Sequence, residues 1–328
     1  MFWNYWRIKM SDKIVFLDSS TVDFGDIEFS TISELGELVC HRVTSKDHII
    51  DRCKDAAVII TNKVVVDEET ISKCTGLKMI AVAATGYNNI DTAAAKKRGV
   101  AVANVPGYST TTVSQLTMSF VLAMSTQLIN YNNASHDGSW SKSEIFTMGT
   151  WPFFDLEGKT IGIMGLGAIG KEVARLCEAF RMKVVVLKRD ESKSDGPYPR
   201  LALNDLAAES DFISIHMPLT DYSKYIINKD FLSRMKKTAF LINMARGAVV
   251  DPAALCHALE NGIIAGAAID VMEQEPPRAD DPLLKAPNLI ITPHIAWASI
   301  ESRRRLVAEI TENIKAFKKG TPRNVVSL

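Results

Sequence analysis

Several features are scarce or missing in this chain of 328 residues, and each absence removes a class of function. Net charge is missing: 38 Lys and Arg balance 38 Asp and Glu, so no global field exists to hold a phosphate backbone or an anionic bilayer. Nucleic acid and membrane partners are therefore not expected. Cysteine is sparse and unpatterned. Cys40, Cys53, Cys74, Cys177 and Cys256 include no C-x-x-C pair, and an odd count suits core thiols in a reducing, cytoplasmic setting better than a disulfide framework. No His/Cys/Asp cluster has metal-ligand spacing, so no metal is expected. Long apolar runs are absent too, because Gly, Lys or Asp interrupts each one before the roughly 18 residues a membrane span requires. The aromatic opening Met1–Arg7 is cut off by Arg7, Lys9, Asp12 and Lys13 before a signal-peptide core could form, and Met1–Met10 reads as a flexible extension of a soluble protein.

What is present is an alternation of short β-branched runs with helix-length segments, the pattern of a parallel sheet covered by helices. It occurs twice. The first set is Ile14–Leu17, Ala57–Thr61, Lys78–Ala83 and Val100–Asn104; the second is Thr160–Met164, Lys183–Leu187, Phe212–His216, Ala239–Asn243, Ala265–Asp270 and Leu289–Thr292. Between the sets, Ser109–Tyr131 predicts a helix and Asn132–Thr150 a polar loop. Ser299–Gly320 predicts a final helix that folds back on the first set. The expected division is residues 1–105 with 299–328 as one domain and 106–298 as the other.

Thr160–Met164 runs directly into Gly165-Leu166-Gly167-Ala168-Ile169-Gly170, and Lys171–Phe180 continues with helical spacing. This is G-x-G-x-x-G between a strand and a helix. Gly165 permits the tight turn, Gly167 lets the backbone approach a pyrophosphate, and Gly170 lets helix and strand pack. The helix N-terminus aims its N–H groups, those near Ala168 and Ile169 included, at the phosphates. The next strand should end in an acid that holds the ribose 2′-hydroxyl of NAD. Lys188 and Arg189 stand there instead, and two cations favour a 2′-phosphate, which an Arg can grip bidentately. NADP(H) is thus favoured over NAD, against the alternative of two solvated charges with Asp190 holding the ribose.

Three more stretches fall at expected strand ends: Asn243-Met244-Ala245-Arg246-Gly247-Ala248-Val249-Val250-Asp251, Asp270-Val271-Met272-Glu273-Gln274-Glu275-Pro276, and Thr292-Pro293-His294-Ile295-Ala296-Trp297. Together with the glycine motif, in this order, they resemble the D-isomer-specific 2-hydroxyacid dehydrogenase family from about Ile14 to Val326. The resemblance implies an α/β fold of two doubly wound parallel-sheet domains, a Rossmann NAD(P)-binding domain inserted into a flavodoxin-like substrate domain. It implies an oxidoreductase that moves a hydride between NAD(P)H and a small 2-oxo acid. Arg246 would bind the substrate carboxylate and polarise the 2-oxo group, His294 would be the general acid/base, and Glu275 its carboxylate partner. The chemistry agrees: hydride delivery to a ketone leaves charge on oxygen, which a nearby imidazolium can neutralise by giving up a proton. Asp270 matches the residue that holds the nicotinamide carboxamide. Met217-Pro218, Met244-Ala245 and Ala296 match segments that line the cofactor, while Thr85 and Gly86 match backbone donors to the substrate carboxylate.

Within the family, the Tyr87–Asp91 loop, Tyr108-Ser109-Thr110 and the His294–Trp297 stretch resemble the branch that reduces hydroxypyruvate and glyoxylate, the D-glycerate dehydrogenases. Trp297 either narrows the substrate site or is a packing residue. D-lactate and phosphoglycerate dehydrogenases are the alternatives within the family, the latter disfavoured because Thr85–Asn88 offers no cation to a phosphate. Outside the enzymes, some relatives are corepressors that use the fold as a nucleotide-sensing module. Family members form homodimers, which would bury Trp140, Ile145, Phe146, Trp151, Phe153 and Phe154 in the segment Ser109–Trp151 and its flank, with burial inside one chain as the alternative. Gln115 stands where the family more often has an acid, a change expected to bear on the interface or hinge.

Overall fold

The computed structural model describes residues 11–188 and 197–326; the N-terminal extension Met1–Met10, Arg189 and Asp190 lie outside the described residues. The chain forms two compact units. One runs to Ser109 and resumes at Trp297, and the other comprises Thr110–Ala296.

The first unit holds strands β1 (Lys13–Phe16), β2 (Glu37–Cys40), β3 (Ala56–Thr61), β4 (Met79–Val82) and β5 (Ala101–Ala103), with helices α1 (Ser30–Ser33), α2 (Ile49–Cys53), α3 (Glu68–Lys73) and α4 (Thr92–Lys97) between them. The pairings between these five strands are parallel, in the order β2-β1-β3-β4-β5. That is the flavodoxin order. Asp67 and Asp91 cap α3 and α4 by accepting the N–H groups of Thr70 and Ala94. Successive strand residues point to opposite faces. Ile14, Phe16, Val58, Ile60, Met79 and Ala81 build one core layer, while Val15, Leu17, Ile59, Ile80 and Val82 build the other. The last helix of the chain, Ile300–Lys318, covers the first of these layers with Leu306, Val307, Ile310, Ile314 and Phe317.

The second unit begins with α5 (Thr110–Ser125) and α6 (Leu128–His136). It then alternates β6 (Thr160–Met164), α7 (Ala168–Ala179), β7 (Lys183–Leu187), β8 (Arg200–Leu201), α8 (Leu203–Glu209), β9 (Phe212–Ile215), α9 (Lys229–Arg234), β10 (Phe240–Asn243), α10 (Pro252–Glu260), β11 (Gly266–Ile269) and β12 (Leu289–Ile291), after which the last helix, α11 (Ile300–Lys318), returns to the first unit. Its sheet order is β12-β11-β10-β9-β6-β7-β8, all parallel. That is a Rossmann sheet with one further strand. The order reverses direction at β6, between β7 and β9, which is where such sheets take a ligand.

The structure corrects three expectations. Ser109–Tyr131 is not one helix: α5 stops at Ser125 and α6 starts at Leu128, around Gln127 at φ 54°. Ser125 and Thr126 turn their hydroxyls back onto the Leu122 carbonyl, Gln127 Nε2 binds the Met124 carbonyl at 3.2 Å, and such local bonds compete with helix continuation. Two edge strands, β2 and β8, were not foreseen; their residues are half-exposed or exposed, so neither has the apolar alternation of the inner strands. Cys40 lies on β2 and is exposed, whereas Cys53, Cys74, Cys177 and Cys256 are buried thiols.

Candidate active site

Parallel strands end on one edge of a sheet, and here five of them end in register. Met164 pairs with Ile215, Ile215 with Asn243, Asn243 with Ile269, and Ile269 with Ile291. The glycine turn, His216-Met217, the Arg246 turn, Asp270 and the His294 loop therefore leave adjacent strands at the same level.

The glycine turn has the tight bend and the close helix packing that its sequence predicts at Gly165 and Gly170. Gly165 lies at φ +106°, and a Cβ there would come within 2.8 Å of the His216 carbonyl and the Met217 nitrogen. Gly170 packs so closely that a Cβ would meet the Gly165 oxygen at 2.1 Å. Gly167, the N-cap of α7, faces open space within 4 Å. The first intrahelical bond runs from the Lys171 N–H to the Gly167 carbonyl, which leaves the N–H groups of Ala168 and Ile169 without a protein acceptor among the described residues. Free donors over an open cradle suit a dinucleotide pyrophosphate. At the end of β7, Lys188 is exposed, its N–H bound to the Leu201 carbonyl at 2.8 Å.

Beyond β10, Asn243 organises the next turn by accepting the Ala245 N–H at 3.0 Å and donating to the Arg246 carbonyl at 2.9 Å. Met244 and Ala245 are buried. Arg246 is half-buried; its Nη1 donates to the Ala245 carbonyl at 2.7 Å, and its guanidinium meets no carboxylate among the described residues. Asp251, the last residue of that motif, caps α10 by accepting the N–H groups of Ala253 and Ala254. Its part is structural.

His294 sits at φ 53° in the loop after β12, its N–H shared between the carbonyls of Asp270 and Thr292. Asp270 holds that loop: Oδ1 accepts Thr292 Oγ1 at 2.6 Å and Ile295 N–H at 2.9 Å, and Oδ2 accepts the N–H of buried Ala296 at 2.9 Å. Burial raises its carboxyl above the usual range, and these bonds act against the rise. Glu275 Oε1 accepts the Met272 N–H at 2.9 Å, and Oε2 lies 2.6 Å from His294 Nδ1. A carboxylate accepts and does not donate, so Nδ1 carries the proton of this bond and Nε2 is the nitrogen that the bond leaves open.

In the first unit, Thr85 and Gly86 follow β4. Asn104 Nδ2 donates to the Thr85 carbonyl at 2.7 Å, Thr85 Oγ1 donates to the Val105 carbonyl at 3.0 Å, and the Thr85 and Gly86 N–H groups have no acceptor among the described residues. Trp297 packs edge-on to Tyr108, ring centroids 6.3 Å apart, on the core layer beneath α11. Gln115 is exposed on α5. Sequence reasoning missed Asn243, whose position just before the arginine motif was its only signal, and the pair Ser214 and His216. His216 Nε2 lies 2.8 Å from Ser214 Oγ, Nδ1 is buried with no partner among the described residues, and burial lowers the imidazole to about 3.

Comparison with known proteins identifies the family. The family model described as "D-isomer specific 2-hydroxyacid dehydrogenase, NAD binding domain" matches residues 118–296. The glycerate dehydrogenase of Methylorubrum extorquens is 40% identical, over 97% of this chain and 99% of its own. The hydroxypyruvate reductase of Blautia hydrogenotrophica is 35% identical, over 96% and 99%. A crystal structure of a Thermus thermophilus protein superposes with a TM-score of 0.87 at 33% identity, covering 96% of this chain and 99% of that one. The chain belongs to the D-isomer-specific 2-hydroxyacid dehydrogenases, NAD-dependent oxidoreductases that act on the CH–OH group of 2-hydroxy acids.

Proposed function

We propose that this enzyme reduces hydroxypyruvate or glyoxylate, with NADP(H) as its preferred cofactor, and that Arg246, Glu275 and His294 are its catalytic residues. The observation that carries the assignment is the 2.6 Å contact between Glu275 Oε2 and His294 Nδ1, on the strand edge that also bears the glycine turn and Arg246. A bound nicotinamide would supply the hydride chemistry. Arg246, held by Asn243 and free of a carboxylate partner among the described residues, offers its fork to the substrate carboxylate and to the 2-oxo oxygen. His294 Nε2 gives its proton to that oxygen as negative charge develops there, and Glu275 fixes the ring through Nδ1. Thr85 and Gly86 have backbone N–H groups with no acceptor among the described residues, donors of the kind a carboxylate takes. Ala168, Ile169, Met217, Pro218, Met244, Ala245, Asp270 and Ala296 line the cofactor.

The names of the relatives support the substrates, and Lys188 with Arg189 supports the 2′-phosphate. Four buried free thiols suit a reducing cytoplasm. Exposed Trp140, Ile145, Phe146 and Phe153 suit a homodimer.

Steady-state oxidation of NADPH and of NADH with hydroxypyruvate, glyoxylate and pyruvate tests substrate and cofactor together. Turnover confined to pyruvate would overturn the substrate assignment, and kcat/KM higher with NADH would overturn the cofactor assignment. His294→Ala should cost roughly 10²–10⁴-fold in kcat with cofactor still bound. Near-normal turnover in that variant would remove His294 from the chemistry.

A further inference from the structure

The turn that carries Arg246 and the turn that carries Glu275 lie directly against each other. A Cβ on Gly247 would stand 2.0 Å from the Met272 carbonyl carbon and 2.2 Å from the Glu273 nitrogen, so the two main chains touch at that point. Contact between two loops does not hold either in place. Tyr225 does so through bonds to both. Its N–H donates to the carbonyl of Ala248, two residues after Arg246, at 2.8 Å. Its hydroxyl donates to Glu273 Oε1, two residues before Glu275.

The rest of the segment supports this tie. Ile227 and Val250 form a parallel bridge, and the Asp251 N–H reaches the Ile227 carbonyl at 2.9 Å, so Tyr225–Ile227 runs alongside the chain that leaves Arg246. Lys224 Nζ lies 5.3 Å from the centre of the Tyr225 ring, and Glu273 and Asp251 are the acids that bear on its hydroxyl. Tyr225 itself adopts φ 50°, a left-handed conformation that a bulky residue takes only where its surroundings over-determine it.

We propose that Tyr225 is a positioning residue for hydride transfer, tying the turn that bears Arg246 to the turn that bears Glu275 so that His294 keeps its aim at an oxygen held by Arg246. This rests on the assignment of Arg246, Glu275 and His294 made above. Tyr225 touches neither substrate nor cofactor in this role. It acts through Glu273 and the Met272–Glu275 turn, whose carboxylate holds the imidazole.

The test is Tyr225→Phe, which removes the hydroxyl and keeps the ring and the main-chain N–H. Misplacing a catalytic group by a fraction of an ångström lowers the rate of the chemical step, so kcat for reduction of the 2-oxo acid should fall about tenfold. The cofactor Kd and the Tm should stay at wild-type values. Glu273→Ala should reproduce that loss, while Glu273→Gln, which still offers an acceptor, should recover most of it. Wild-type kcat in Tyr225→Phe, or a loss matched by equal losses in cofactor binding and Tm, would overturn the proposal. His294→Ala, run alongside, separates the two levels. An inactive His294→Ala beside a fully active Tyr225→Phe defeats the tie alone, and an active His294→Ala defeats the catalytic assignment and the tie with it.

Discussion

Arg246 and His216 show how differently two polar side chains at the same strand edge can be used. Arg246 spends one donor on a neighbouring carbonyl, and the rest of its fork meets no carboxylate among the described residues. A lysine in its place would bring a point charge without a fork. Charged hydrogen bonds contribute about 1.5–3 kcal/mol, so Arg246→Lys should lower kcat/KM roughly 10–100-fold, chiefly through KM; unchanged steady-state kinetics would rule out the carboxylate role. His216 is half-buried with its Nδ1 enclosed, and its folded-state value of about 3 lies below the roughly 6.5 of an unfolded histidine. Above pH ~6.5 both states are neutral and the stabilising contribution is fully present. As pH falls from there towards 3, the unfolded chain takes up a proton that the folded one refuses, and stability is lost, about 2 kcal/mol by pH 5. Urea unfolding at pH 7.5 and pH 5 should show that loss in the wild type and a smaller one in His216→Gln. An equal loss in both proteins would show that His216 is not its source.

At the scale of the element, the strand–turn–helix unit β6–α7 separates folding from binding within one motif. Gly170 lies 2.1 Å from the Gly165 oxygen when given a Cβ, so Gly170→Ala must move the helix or the turn. Overpacking of this kind costs about 1–3 kcal/mol, and a lowered Tm should accompany weaker cofactor binding. Gly167 has an ordinary φ of −79° and open space where a Cβ would go. Gly167→Ala should therefore leave Tm unchanged and weaken cofactor binding alone, because only a bound pyrophosphate would meet the added methyl. Calorimetry and fluorescence titration on the two variants distinguish these outcomes, and full cofactor affinity in Gly167→Ala would remove the pyrophosphate from that spot. The motif was legible in the sequence because each glycine answers a local demand. The break between α5 and α6 was not, because it depends on hydroxyl and amide side chains turning back onto carbonyls, which a hydrophobic pattern does not record.

At the scale of the whole molecule, two parallel sheets are built from one alternating pattern, and the segment between α6 and β6 is left with apolar side chains in water. Phe146 is 90% exposed, Phe153 64% and Ile145 63%, while Phe154 stacks on Phe240 in its own core. The sequence grouped these residues as one surface; the fold divides them. Solitary exposed apolar residues are ordinary, but several on one segment mark an interaction face. A homodimer follows as the expectation. Sedimentation should give a dimer, and Phe146→Asp combined with Phe153→Asp should shift it towards monomer by placing charges in a desolvated contact. A wild-type monomer would end that reading.

The sequence alone determined the two αβ sets, the strand–glycine–helix motif and the three stretches that carry Arg246, Glu275 and His294, because periodicity and glycine spacing are local properties of the chain. Strand cores were placed to within a residue or so for the same reason. Tertiary structure alone decided that Glu275 and His294 meet at 2.6 Å, that Asp270 spends both oxygens on the His294 loop, and that Tyr225 reaches Glu273 from 48 residues away. Such contacts depend on which strands lie side by side and in what register, and no single segment carries that information.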